Sequence, residues 1–122
     1  MNGVLTTSVT TTGAAGSATG TASLTISGYV EGIKINWHAS APVTSDVTIV
    51  EQGGLGRTLY TKSDSATDVT FYPYLQGGDN AGAAITGVYG RVYLPYGPLL
   101  ISVAGCDALT AALVVSIVVT DR

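Results

Sequence analysis

The sequence predicts an all-β fold: a single-domain, jelly-roll-like β-sandwich of about seven or eight strands, preceded by an extended arm. Three observations carry this. Apolar residues nowhere recur at helical spacing over a useful length. Short β-branched runs alternate with polar residues and are separated by Gly, Pro, Asp and Asn. The 122 residues suit one domain, long enough to bury a core without staples.

Residues 1–21 are mostly Thr, Ser, Gly and Ala, with Val4, Leu5 and Val9 as the large apolar side chains. They read as an extended arm, with at most a short strand at 3–12. Alone they have too little to bury to offset their ordering entropy. The sandwich is expected over 22–122. In "SLTISGYVEGIKINWHAS", Leu24 and Ile26 alternate with polar residues, then Ile33, Ile35 and Trp37 share a face. Gly28 and Gly32 mark a turn or bulge there. "DVTIVEQ" and "RTLYTK" flank "GGLG" at hairpin spacing. "VTFYPYLQ" is a strand interrupted by Pro73, which belongs at an edge or bulge. "GGDNAGAAITG" reads as a long loop. "VYGRVYLPYG" alternates weakly, and "PLLISVAG" puts Leu99, Ile101 and Val103 on one side. "AALVVSIVVT" is apolar on both faces, which suits a central strand or one with a face in an interface. The expected core comprises Trp37, Ile35, Ile49, Leu59, Phe71, Ile101, Val115 and Ile117.

Composition narrows the function. Charged residues make up only 11% of the chain and the net charge is −3. A surface so poorly charged suits one that something else covers. Lys34, Arg57, Lys62, Arg91 and Arg122 are scattered and cannot track a phosphate backbone, which argues against nucleic acid. A single cysteine, Cys106, excludes an intrachain disulfide and a thiolate zinc site; it reads as a small buried or turn residue. The first twenty residues lack the basic and apolar regions of a signal peptide. "ALTAALVVSIVV" is shorter than the roughly 20 apolar residues of a membrane span. The expectation is a soluble protein made in a cytoplasm, with no membrane partner.

No catalytic, metal-binding or cofactor-binding residues are assigned, and the chain is not read as an enzyme. In "GGDNAGAA", Asp79 and Asn80 supply too few oxygens for calcium. There is neither the helix of a dinucleotide fingerprint nor the Lys of a P-loop. Asp, Asn and Gly suit tight turns, so the stretch reads as a displayed turn. Asp64, Asp68, Glu31 and Glu51 carry no sign of a cleft pair. His38, the one imidazole, ends a strand and reads as a surface or interface residue. The tyrosines cluster: Tyr72 and Tyr74 two apart, then Tyr89, Tyr93 and Tyr96. Such clusters pack at core rims, build protein interfaces or stack on sugars.

The run from "GYVEGIKINWHASAPVTSDVTIVEQ" through "RTLYTK", "FYPYLQ", "GGDNAGAAIT" and "YLPYGPLLISVAG" to the last apolar strand resembles small virion proteins of tailed bacteriophages, of the capsid cement, decoration or head-fibre type. The likeness covers residues 29–120 and rests on loop words and strand order. It implies a β-sandwich on the capsid surface that binds the major capsid protein and self-associates, with a trimer favoured. It implies no active site and no cofactor. Val4, Leu5, Val9, Tyr89, Tyr93 and Tyr96 are the candidate capsid or subunit contacts. The alternative is a carbohydrate- or receptor-binding module of a tail, baseplate or head fibre.

Overall fold

The computed structural model describes residues 2–121; Met1 and Arg122, the outer ends of the expected arm and sandwich, lie outside the described residues. Eight strands and no helix form among them: β1 (Gly3–Val9), β2 (Ala18–Trp37), β3 (Asp46–Glu51), β4 (Thr58–Lys62), β5 (Val69–Phe71), β6 (Tyr74–Gly78), β7 (Ala84–Cys106) and β8 (Leu113–Thr120). All pairings are antiparallel, in the order β1-β8-β2-β7-β3-β4, with β5 on β2 and β6 on β7.

Two long strands turn this ladder into a sandwich. Residues 18–30 of β2 pair with β7, whereas residues 29–37 pair with β8 and residues 33–35 with β5. The strand therefore leaves one sheet and enters the other near residue 28. The register slips between Ile26 and Gly28, and again between Val30 and Gly32; such bulges bend a strand. Gly28 is required at the corner. Its φ is +118°, and a Cβ there would lie 2.5 Å from the Thr120 carbonyl oxygen. On β7 the same slip sets Pro95 and Tyr96, between Leu94 and Gly97, against the single Ser27 of β2.

With β2 counted as two segments, one sheet reads β1, β8, late β2, β5, and the other early β2, late β7, β3, β4. That is the double Greek-key order of a jelly roll. The hairpin of β6 and early β7 is an insertion between its sixth and seventh strand segments. One apolar cluster fills the space between the sheets, including Ile26, Ile33, Ile35, Ile49, Leu99, Ile101, Leu113, Val115 and Ile117. Of the expected core, Ile35, Ile49, Ile101, Val115 and Ile117 are buried, while Trp37, Leu59 and Phe71 pack half-buried at its margin. One flank closes where Tyr60 of β4 stacks on Phe71 of β5, with ring centroids 4.5 Å apart. On the opposite flank Thr12 bridges Thr19, and Gly20 lies against the Thr10 carbonyl.

Two expectations need correction. The arm is not a separate element: Gly3–Val9 forms a full ladder with β8, from Gly3 opposite Val119 to Val9 opposite Leu113. Residues 18–21 belong to β2, so a boundary after residue 21 falls inside a strand. A tally of the arm's own apolar side chains omits the ladder, and Leu5 and Val9 fall at alternate positions facing the common core. The long loop also shrinks. Gly77, Gly78 and Ala84–Gly87 lie in strands, leaving residues 79–83 as the turn.

Candidate interaction surface

The inserted hairpin is the most exposed part of the molecule. Tyr74 pairs with Arg91, Leu75 with Gly90, Gln76 with Tyr89, and Gly78 with Ala84. Every residue from Ala84 to Arg91 is exposed. Leu75 reaches the core and anchors the base. Val88 folds over Gly77, where a Cβ would lie 2.8 Å from the Val88 Cγ1. Within residues 69–90 the one charged side chain is Asp79. Its Oδ1 accepts hydrogen bonds from the Ala81 and Ala83 N–H groups at 2.8 and 2.9 Å, and its own N–H donates to the Ala83 carbonyl. That carboxylate is the cap of a turn, so the glycine-rich stretch shapes a hairpin tip.

The register sets the composition of one hairpin face. Tyr74, Gln76, Tyr89 and Arg91 share it by cross-strand pairing and alternation, and Tyr93 continues it along β7. Tyr93 pairs with Tyr29 of β2, and Tyr29 with Thr120 of β8. Tyr29 and Tyr93 meet edge-to-face at 5.1 Å. The Arg91 guanidinium stands 3.9 Å above the Tyr29 ring and 3.0 Å from Glu31 Oε1, which also accepts from the Thr120 hydroxyl. The hairpin thus leaves the sandwich from a cross-braced base, with Tyr74 and Tyr89 exposed beyond it.

A second brace lies behind the base. Glu51, at the end of β3 and 5% exposed, receives the Arg57 Nε at 2.8 Å, and Arg57 Nη2 donates to the Tyr93 carbonyl at 2.6 Å. The Arg57 hydrogen bond outweighs the opposing effect of burial and, with the guanidinium charge, holds the Glu51 carboxyl below its ordinary value of 4.5. Gly54 permits this placement: its φ is +53°, and a Cβ there would stand 2.5 Å from Glu51 Oε1. A cavity of about 20 Å³, lined by Glu51, Gly54, Leu94, Tyr96 and Pro98, adjoins the pair and has room for one water.

The expected contact residues separate into kinds. Tyr89 and Tyr96 are exposed, Tyr96 at 79% because it is extruded by the β7 bulge. Tyr93 is half-exposed and committed to Tyr29. Val4 is 64% exposed on the outer face of β1. Leu5 packs against the core and Val9 is fully buried, so neither is a free anchor; this corrects their assignment as contacts. Val4 borders an outer groove of about 250 Å³ with Gly32, Lys34, Tyr72, Ser116 and Val118. Tyr29 and Arg91 were not signalled by the sequence, because only the pairing of β2 with β7 brings them to Tyr93.

The groups considered for catalysis are not gathered. Glu31 is engaged by Arg91, Glu51 by Arg57, and Asp68 by the Trp37 N–H. His38 Nδ1 accepts from the Ser40 N–H, and Cys106 is buried in the core. Among the described residues no three His, Cys, Asp or Glu side chains are grouped to hold a metal ion. Among the same described residues no helix is long and apolar enough to cross a membrane. No family model, curated protein or solved structure matches the chain.

Proposed function

We propose that this chain is a structural, non-catalytic protein of a tailed-phage particle, attached non-covalently to the capsid as a cement or decoration protein. The observation that carries this reading is the braced hairpin, whose tyrosine-bearing surface is nearly free of charge and stands clear of the packed jelly roll. Tyrosines supply contact area at low entropic cost and keep a hydroxyl for hydrogen bonds, which is why they concentrate at protein interfaces. Asp79 and Arg91 already have partners within the chain, so covering the hairpin strands no charge. In this reading the major capsid protein meets Tyr74 and Tyr89. Each bound copy adds an interface, of about 1,600 Å² if of standard size, that must be broken before neighbouring capsomers separate.

Co-sedimentation with shells assembled from the major capsid protein tests it. Wild-type chain is expected to pellet with the shells, and a Tyr74→Ser, Tyr89→Ser variant to stay in the supernatant. Equal pelleting of both would remove the hairpin from the interface. Exposed tyrosine rings are also platforms for sugar stacking. A glycan-array signal that disappears in the same variant would replace the capsid reading with the carbohydrate one.

A further inference from the structure

The strand edges of this sandwich are unequally protected. β4 carries Lys62, and Arg57 stands just before it. β5 is three residues long and Pro73 follows within two positions. The outer edge of early β7 carries Arg91 and is broken by Gly87 at φ +83°. Charges, short length, proline and irregular backbone are the usual guards against edge-to-edge pairing. β1 has no charge and no proline, and its irregular residue, Gly3 at φ +140°, lies at its outer end and leaves Val4–Val9 regular. Its seven residues, GVLTTSV, lie at the end of the strand order and pair on one side only, with β8. Alternate residues direct N–H and C=O groups outward, where no other strand pairs with them among the described residues. The same flank carries residues 20–27 of β2, equally uncharged; the first charged residue of the chain is Glu31.

We propose that β1 is a self-pairing edge, and that two copies of this chain join antiparallel, β1 to β1, about a twofold axis. Identity of the partners selects this occupant. A twofold axis sets a strand against its own sequence, so any charge near the axis meets its like, which is destabilising. β1 carries no charge to repel its copy. The register of full overlap places Thr6 on the axis, opposite Thr6 of the second copy, with Val4 opposite Ser8. Threonine pairs are among the favourable cross-strand neighbours. Val4, Thr6 and Ser8 point to the outer face, while Leu5 and Val9 remain in their own core. The joined sheet runs β5-β2-β8-β1 into its mirror order. This inference does not depend on the capsid reading. Its outcome is a dimer, where the likeness to virion proteins implies a trimer.

Light scattering on the full chain at micromolar concentration is expected to give twice the chain mass of 12.3 kDa. Thr6→Lys is expected to return it to monomer with an unchanged β-type circular dichroism spectrum, whereas Tyr89→Ser leaves the dimer intact. Oxidation of Thr6→Cys supplies a second readout. Cα atoms facing each other across an antiparallel pair are about 4.5–5.5 Å apart, within the reach of a disulfide. Thr6→Cys should therefore crosslink to a covalent dimer, and Ser8→Cys should not; Cys106 is too buried to compete. A wild-type monomer, a trimer, or a dimer that survives Thr6→Lys overturns the proposal. So does equal crosslinking at positions 6 and 8.

Discussion

The sandwich body and its inserted hairpin are built from the same residue types and put them to opposite use. In the body, alternation sends Ile33 and Ile35 of β2 or Val115 and Ile117 of β8 into one shared core. In the hairpin, alternation has no core to serve beyond Leu75, so Tyr74 and Tyr89 remain exposed at paired positions, and Ile85 and Val88 remain exposed on the stretch that bulges opposite Gly77. A period of two therefore reports that a segment is extended. What its apolar face meets depends on which strands stack above it, and that is a property of topology.

The largest expected effect comes from the body. Ile35→Ala should cost about 2–5 kcal/mol, since the site is sealed and cannot collapse freely, whereas Val88→Ala on the hairpin should stay within about 0.5 kcal/mol. Chemical denaturation of both variants checks this. A comparable loss for Val88→Ala would show the hairpin to be part of the cooperative core.

The brace between the two regions should give an intermediate effect. Glu51→Ala leaves Arg57 without its carboxylate and the Tyr93 carbonyl with a displaced donor, at a cost of about 1–3 kcal/mol. The sign with pH follows from the depressed folded-state pKa. The contribution is full above the unfolded value near 4.5 and is lost as pH falls through the lower folded value. Wild type and Glu51→Ala should thus differ in melting temperature near neutrality and converge in acid. A gap that persists at low pH would assign the loss to packing.

The smallest effect on global stability should come from the hairpin tip. Asp79→Ala removes two hydrogen bonds of an exposed turn, so the melting temperature should hardly move, while amide exchange at Ala81 and Ala83 speeds up. Unchanged exchange at those amides would show the turn to be held by its glycines alone.

Much of the fold was legible, because period-two runs and their breakers are local signals. The final strand was recognisable as central from its apolar faces, and β8 does lie between β1 and β2. Pro73 marked the break between β5 and β6. The role of the first residues was not legible, since Leu5 and Val9 become core only through a ladder with residues 113–119. The surface was half legible. Tyr89 and Tyr96 stood out by clustering. The pairing of Tyr93 with Tyr29 depends on a register between strands far apart in the chain, and no local pattern encodes it.

The ladder joining Gly3–Val9 to Leu113–Thr120 also governs how the protein comes into being. During synthesis the first strand must wait for almost the whole sequence before its partner exists. Contacts of such long sequence separation close late, and β-sandwiches rich in them fold in milliseconds to seconds. Throughout that interval an uncharged strand with both edges open is present in the nascent chain. Yield in a cell should therefore depend on the delay between translating the two ends, and a circular permutant that makes residues 1–9 follow residue 120 would shorten that exposure to a single turn.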